Sequence, residues 1–415
     1  MRFFFIFSIL PDLFFYGLLF VLLEKSRVLK SLKKSPELSF LIDLFQQKNL
    51  PETPSKIQLE ALRSHRLEGW AYEKIPQWRN VLKDQKLFWM QKSMSQLAAL
   101  IKIKKAFEAE NIEFIVLKGL PLSMLLYGDY TVRNSGDVDI FIRPADLVKA
   151  HESLLHQGYS LRINHPVSDN LLPVLLSAEK DLGYLNSSRT EVIECHWRLM
   201  RNPNFLSDSF DEFLAKAQQV IIGGISYNFF SNEDLLIYLC MHAANHHWEM
   251  LSWLMDIHSL IEKMEEQSQG SVNWALLVER AKEQNVLNAL LIAFLWREIF
   301  FGTFMPLAIR NLCGTFSLNC LLEFESFYLR KKWWAHVGLI SDVFRFSLFP
   351  TFKDKCSFYH IRAFSHYRQV LRWHLPFPKL CLTLCYFLEP FIIAGRLFKY
   401  SGQALVRVFR RLISI

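Results

Sequence analysis

Asp137 and Asp139 flank a single valine in the stretch VRNSGDVDIFIRP, residues 132–144, just before the apolar run Ile140, Phe141 and Ile142. Residues two apart on a strand face the same way and lie roughly 6.5–7 Å apart, so these carboxylates aim at one point. Like charges held that close repel unless a proton or a cation sits between them. A hard divalent ion is the common resolution, because Mg²⁺ takes oxygen ligands and still accepts substrate phosphates. The plainer alternative is a strand end with two solvated acids, and a D-x-D pair alone does not choose between the two.

Neighbouring residues favour the metal. Lys118 and Gly119 close the apolar run IEFIVLKG (112–119), where backbone amides can approach a phosphate. Arg133, just before the aspartates, carries a fork of donors suited to phosphate. Glu194 and His196 share one face of the strand-like run TEVIECHW (190–197). If that run lies beside DVDIF, Glu194 joins the aspartates. Three carboxylates can hold two metal ions, neutralise a triphosphate and activate an acceptor hydroxyl. His196 fits better as a residue that hydrogen-bonds and orients the carboxylates than as a base.

His242 and His246 sit at i, i+4 in LLIYLCMHAANHHWEMLSWLMDI, the spacing of two zinc ligands on a helix. No glutamate follows His242 as an HExxH signature requires. A helix lining the cleft, or a packed helix with histidines at its edge, accounts for them better.

The elements that must position these groups can be read from periodicity. Residues 38–49 and 88–110 have apolar side chains at helical spacing, joined through a connector at Pro51 and Pro54. A buried strand over 112–119 precedes a helix over 121–127 and a loop over 127–136. The strand DVDIFI follows, and Pro144 opens a helix over 145–156 that Gly158 ends. DLGYLN (181–186) and TEVIECHW, joined by SSR, form a hairpin. From 231 helices dominate, starting at the cap SNED, with one or two helices over 235–264. The class is α+β: a small mixed sheet with flanking helices, with helical regions before and after it.

The net charge of +8 is unevenly distributed. Residues 1–35 carry six basic and two acidic residues, and residues 330–415 carry fifteen and three. The body between them is acidic, which argues against a broad nucleic-acid surface there. Residues 3–23 are long and apolar enough to span a bilayer, but Pro11 and Asp12 interrupt them, and no cleavage site follows. As a span, this segment would keep the chain in the cytoplasm through Lys25, Arg27, Lys30, Lys33 and Lys34; the alternative is a helix on the body. Residues 391–415 are a basic amphipathic stretch, suited to an anionic membrane surface or to packing on the fold. The seven cysteines form no CxxC pair, as expected of reduced thiols in a cytoplasmic protein, free or attached to the inner face of the membrane.

Taken in order, L-K-G, then Arg133, then G-D-V-D, then E-C-H-W and the His-rich helix ending in Asp256-Ile257 resemble an uncharacterised bacterial group within the polymerase-β-like nucleotidyltransferases. Two departures from that superfamily's pattern stand out: Lys118-Gly119-Leu120 replaces the usual G-G or G-S turn, and the gap to Asp137 is long. The resemblance implies a polymerase-β-like core at 111–230, an N-terminal helical region at 36–110, a helical domain lining the cleft at 231–330, and terminal segments 1–35 and 331–415. It implies Asp137, Asp139 and Glu194 as catalytic metal ligands for Mg²⁺, with two ions. Lys118, Gly119, Arg133 and Gly136 would contact the nucleotide, with His196, His242 and His246 behind them. NMP would pass from an NTP to a hydroxyl acceptor: a small molecule, a glycan or a macromolecule. The same residues would also suit a degenerate scaffold protein at a membrane surface, or a toxin modifying tRNA or protein.

Overall fold

The computed structural model describes residues 27–48, 50–162, 175–176 and 179–313. Residues 3–23, a membrane span or a helix on the body by sequence, and residues 391–415, suited to a membrane surface or to packing on the fold, lie outside the described residues. No helix among those described is long and apolar enough to cross a membrane.

The chain begins with α1 (Pro36–Phe45), α2 (Lys56–Ser64), α3 (Glu68–Lys74) and the 31-residue α4 (Arg79–Ala109). Then β1 (Phe114–Val116), α5 (Leu120–Tyr127) and β2 (Val138–Ile142) form the first half of the core. Pro144 opens a 3₁₀ turn, Pro144–Asp146, that leads into α6 (Leu147–His156), so the α-helix starts two residues later than expected. The short β3 (Ser160–Leu161) precedes β4 (Asp181–Leu185) and β5 (Val192–His196), which pair antiparallel as the expected hairpin. Next come α7 (Phe210–Ala215), β6 (Gln218–Ile222) and β7 (Ile225–Phe229), turning at Gly223 and Gly224, both at positive φ as a tight hairpin needs. Helices α8 (Asn232–Asn245), α9 (Leu251–Gln267), α10 (Trp274–Glu283), α11 (Leu287–Phe301) and α12 (Leu307–Arg310) complete the described chain.

One mixed sheet has the order β3-β4-β5-β2-β1-β7-β6. The apolar run of β2 is buried along its whole length, and this decides its place in the interior of the sheet. β2 runs antiparallel to β1 and parallel to β5. Burying Ile140, Phe141 and Ile142 stabilises this centre by about 1.5–3 kcal/mol per side chain.

The single apolar stretch over 235–264 divides into α8 and α9 at His247 and Trp248, both at positive φ. Ser231 caps α8 by accepting the Asp234 amide. One connected core runs from Val28 to Ile309, with Trp78, Trp248 and Trp296 among its largest fully buried side chains. The observed α+β architecture, a mixed sheet with helices before and after it, is the one expected.

Candidate active site

β1, β2 and β5 meet where the sequence places its acids. The parallel register sets Asp139 opposite Glu194 and Phe141 opposite His196. The Leu117 amide donates to the Asp139 carbonyl, which carries the β1 ladder one residue further and brings Lys118 alongside. Gly119, at φ +76° and ψ −128°, then turns the chain into α5; a side chain there would strain the turn.

The Lys118 Nζ lies 2.6 Å from Asp139 Oδ2 and 3.1 Å from Asp137 Oδ1. The two carboxylates therefore do converge on one cation, here the ammonium of Lys118. Burial opposes the charge on Lys118, but Asp139 and then Asp137 overcome it and hold the ammonium pKa above its ordinary value. Burial likewise opposes the Asp139 charge, yet Lys118 and His196 keep it well below the usual carboxylate range. Asp137 goes the other way: burial and the neighbouring Asp139 charge raise it.

His196 is the hub on the other side. Its Nε2 lies 3.3 Å from Asp139 Oδ1 and 3.7 Å from Glu194 Oε2. Its Nδ1 lies 3.3 Å from Lys180 Nζ and 3.7 Å from Asp181 Oδ2, and Lys180 and Asp181 form a close ion pair. Burial and Lys180 push the imidazole pKa down, but the bonds to Asp139 and Glu194 outweigh them and raise it. One ligand atom each from Asp139, Glu194 and His196 lie within 4.8 Å of one another, close enough to share a metal ion. His196 thus belongs to the candidate ligand cluster itself.

Arg133 lines the same cleft, but its Nε donates to both oxygens of Asp256, at 3.0 and 2.9 Å. Its backbone amide donates to Ser123 Oγ. Asp256 ties the loop before β2 to α9, and burial raises the pKa of its carboxyl although Arg133 opposes the shift. Gly136 lies at the cleft wall beneath the Arg66 guanidinium, 3.3 Å from where a Cβ would stand.

His242 and His246 face the cleft from α8, their ring centroids 4.7 Å apart and both within 5.3 Å of the Trp253 centroid. Burial, then the Lys118 charge, holds His242 neutral with a pKa well below its ordinary value. The candidate metal group among the described residues includes neither histidine, and Asp137 also stands outside it, held instead by Lys118.

The cleft encloses about 510 Å³, within the usual range for small-molecule sites. Its lining includes Arg66, Lys180, Asp181 and Arg201, which the sequence reading had not singled out. For Asp181 a signal existed: counting back from the hairpin turn pairs it with His196.

The sequence that carries these residues matches a family. The model of a family described as uncharacterised nucleotidyltransferase covers residues 55–302. The chain belongs to that family. The matched span takes in every candidate site residue and the N-terminal helices from α2 onward. A search of curated proteins found no match.

Among solved structures, the chain is similar to the antibiotic-resistance factor ANT(2″)-Ia in solution, with 12% identity and a TM-score of 0.33 over 46% of this chain and 95% of that one. It is similar to the same factor in a crystal with adenylyl-2″-tobramycin, with 14% identity and a TM-score of 0.30 over 45% and 98%. An antigenic nucleotidyltransferase-like protein from Paracoccidioides brasiliensis gives 16% identity and a TM-score of 0.28 over 48% and 92%.

Proposed function

We propose that the protein moves NMP from an NTP to a hydroxyl acceptor in a Mg²⁺-dependent reaction. The observation that carries this reading is the convergence of Asp137 and Asp139 on one cation, with Glu194 and His196 against Asp139. A site built for a divalent ion must fit a positive charge between its carboxylates, and the Lys118 ammonium is a stand-in that fits.

Asp137, Asp139 and Glu194 would hold Mg²⁺ there, with His196 completing or orienting the set. Bound Mg²⁺ supplies charge neutralisation at the triphosphate and polarises the phosphoryl group. The chain's own residues account for the rest. Lys118, which lines the cleft beside Asp137 and Asp139, would offer its ammonium to the triphosphate. His196, held between Asp181 and Asp139, fixes the direction of the Asp139 carboxylate. Asp256 fixes Arg133, which lines the same cleft and would meet the same phosphates there.

In the transfer, the acceptor oxygen forms a bond to the α-phosphorus and the bond from that phosphorus to the α,β-bridging oxygen breaks. Pyrophosphate leaves with that electron pair, and the acceptor proton passes to the Glu194 carboxylate. Purified protein given labelled NTPs, Mg²⁺ or Mn²⁺ and cell extract is expected to label an acceptor. Equal labelling by the Asp137→Ala, Asp139→Ala double variant would defeat the assignment.

One observation favours a second reading. Lys118 already neutralises both aspartates, as a binding protein that has lost turnover would need. Stabilisation by Mg–NTP with no transfer to any acceptor would support that reading.

A further inference from the structure

We propose that Arg66 forms the subsite for the polyphosphate tail of the NTP and hence for the departing pyrophosphate. The proposal rests on the nucleotidyl-transfer reading and adds to it a binding element contributed by the N-terminal helices.

Helix α2 ends at His65, and Arg66 follows with φ 54°, its amide donating to the Arg63 carbonyl while the Leu67 amide returns to Leu62. The left-handed residue reverses the chain and sends the side chain over Gly136. A Cβ on Gly136 would stand 3.3 Å from Arg66 Nη1 and 3.7 Å from Nη2, so the glycine makes room for the guanidinium beside Asp137.

The segment carrying Arg66 is fixed on both sides. His65 is buried and accepts the Leu251 amide at 3.2 Å. Glu68 accepts from Asn134 Nδ2 at 3.0 Å. Gly69 packs so closely on the loop that a Cβ would lie 2.3 Å from the Val132 carbonyl. The residues on either side of Arg66 thus dock onto the core, while Arg66 lines the cleft.

The other cleft cations are engaged with acids: Lys118 with Asp137 and Asp139, Arg133 with Asp256, Lys180 with Asp181, and Arg201 with Glu179. No hydrogen bond or ion pair joins the Arg66 guanidinium to another described residue. Lys92 on α4 adds a second positive charge. Burial, then repulsion from Arg66, lowers its pKa, while Asp137 pulls the other way. Asp137 and Asp139 are already held by Lys118, so the Arg66 guanidinium keeps its charge facing the cleft. An anion with several oxygens matches it, and a guanidinium fork binds phosphate with particular strength.

The test is calorimetric titration of the full chain with Mg–NTPs, Mg–pyrophosphate, NMPs and nucleosides, for wild type, Arg66→Gly and Arg66→Lys. Glycine is the favoured residue at a left-handed helix terminus, so Arg66→Gly is expected to melt at or above the wild-type temperature. Its affinity for NTP and pyrophosphate is expected to fall roughly 10- to 100-fold, the loss for a charge-assisted bond. NMP and nucleoside affinity should be unchanged, and Arg66→Lys should recover part of the loss. Equal binding of NTP and pyrophosphate by wild type and Arg66→Gly would overturn the subsite and leave the transfer reading intact. Equal losses for NTP and NMP would also overturn it, because the guanidinium would not be reading the tail. Wild type that binds neither NTP nor pyrophosphate would overturn the transfer reading and the subsite together.

Discussion

Replacing Lys118 by Met tests whether the site is built around a cation. The ammonium is the counter-charge for Asp139, whose side chain is 1% exposed, and for Asp137, which is 29% exposed. Removing one partner of a buried ion pair costs about 3–5 kcal/mol, because the other charge stays buried. His196 still contacts Asp139 and Asp137 reaches water, so the lower end applies, about 3 kcal/mol. At about 1–2 °C per kcal/mol for a chain of this size, the melting temperature in EDTA should fall by roughly 3–6 °C. The pKa of Lys118 is raised in the folded state, so its contribution is complete below the unfolded value near ~10.4 and fades only as pH rises through the folded value. The gap between the proteins should therefore be flat from about pH 6 to 9. Millimolar Mg²⁺ should restore much of the loss, raising the variant's melting temperature more than that of wild type, in which the ion must displace the ammonium. Scanning calorimetry with and without Mg²⁺ measures both effects. Equal melting temperatures in EDTA, or an equal Mg²⁺ response in the two proteins, would refute the reasoning.

Three further outcomes are expected. Asp256→Asn leaves the Arg133 charge buried and should cost about 3–5 kcal/mol in urea unfolding, whereas the pair Arg133→Met with Asp256→Leu should recover most of it; a double variant no more stable than the single would contradict the pairing. Gly69→Ala puts a Cβ 2.3 Å from the Val132 carbonyl, so backbone must move; stability should drop by about 1–3 kcal/mol, with weaker NTP binding because the loop carrying Arg133 and Gly136 shifts. His242 is held neutral in the fold, so unfolding lets it take up a proton; its contribution is intact above the unfolded pKa near ~6.5 and is lost as pH falls below that value. The urea midpoint of wild type should therefore decline more steeply from pH 7 to 5 than that of His242→Asn, and parallel declines would count against a neutral buried His242.

Period-two alternation and charge are local properties, and they made Asp137, Asp139 and the hairpin carrying Glu194 legible from sequence. The apolar content of β2 required neighbours on both sides, so Glu194 beside Asp139 was a short step. The partners of the cations were not legible, because side-chain pairing is set by register and by contacts between distant segments. Lys118 reads as a phosphate contact, yet the antiparallel pairing of β1 with β2 puts its ammonium between the aspartates. Arg133 and Asp256 are 123 residues apart, and no spacing rule links them. Arg66 belongs to a helix terminus with no chemical motif, and contacts of His65, Glu68 and Gly69 with distant segments bring it to the cleft. A hairpin with Gly223-Gly224 at its turn did carry a local signal, but it holds no site residue. Acids at a metal site must converge on one point, so strand spacing reveals them; cations that meet a flexible polyphosphate can arrive from any surrounding element. The anionic half of such a site is therefore written in short motifs, while a cation such as Arg66 emerges only from the fold. On that argument Arg66, which lies in no recognisable motif, is the position where substitution should separate loss of polyphosphate affinity from loss of Mg²⁺ binding.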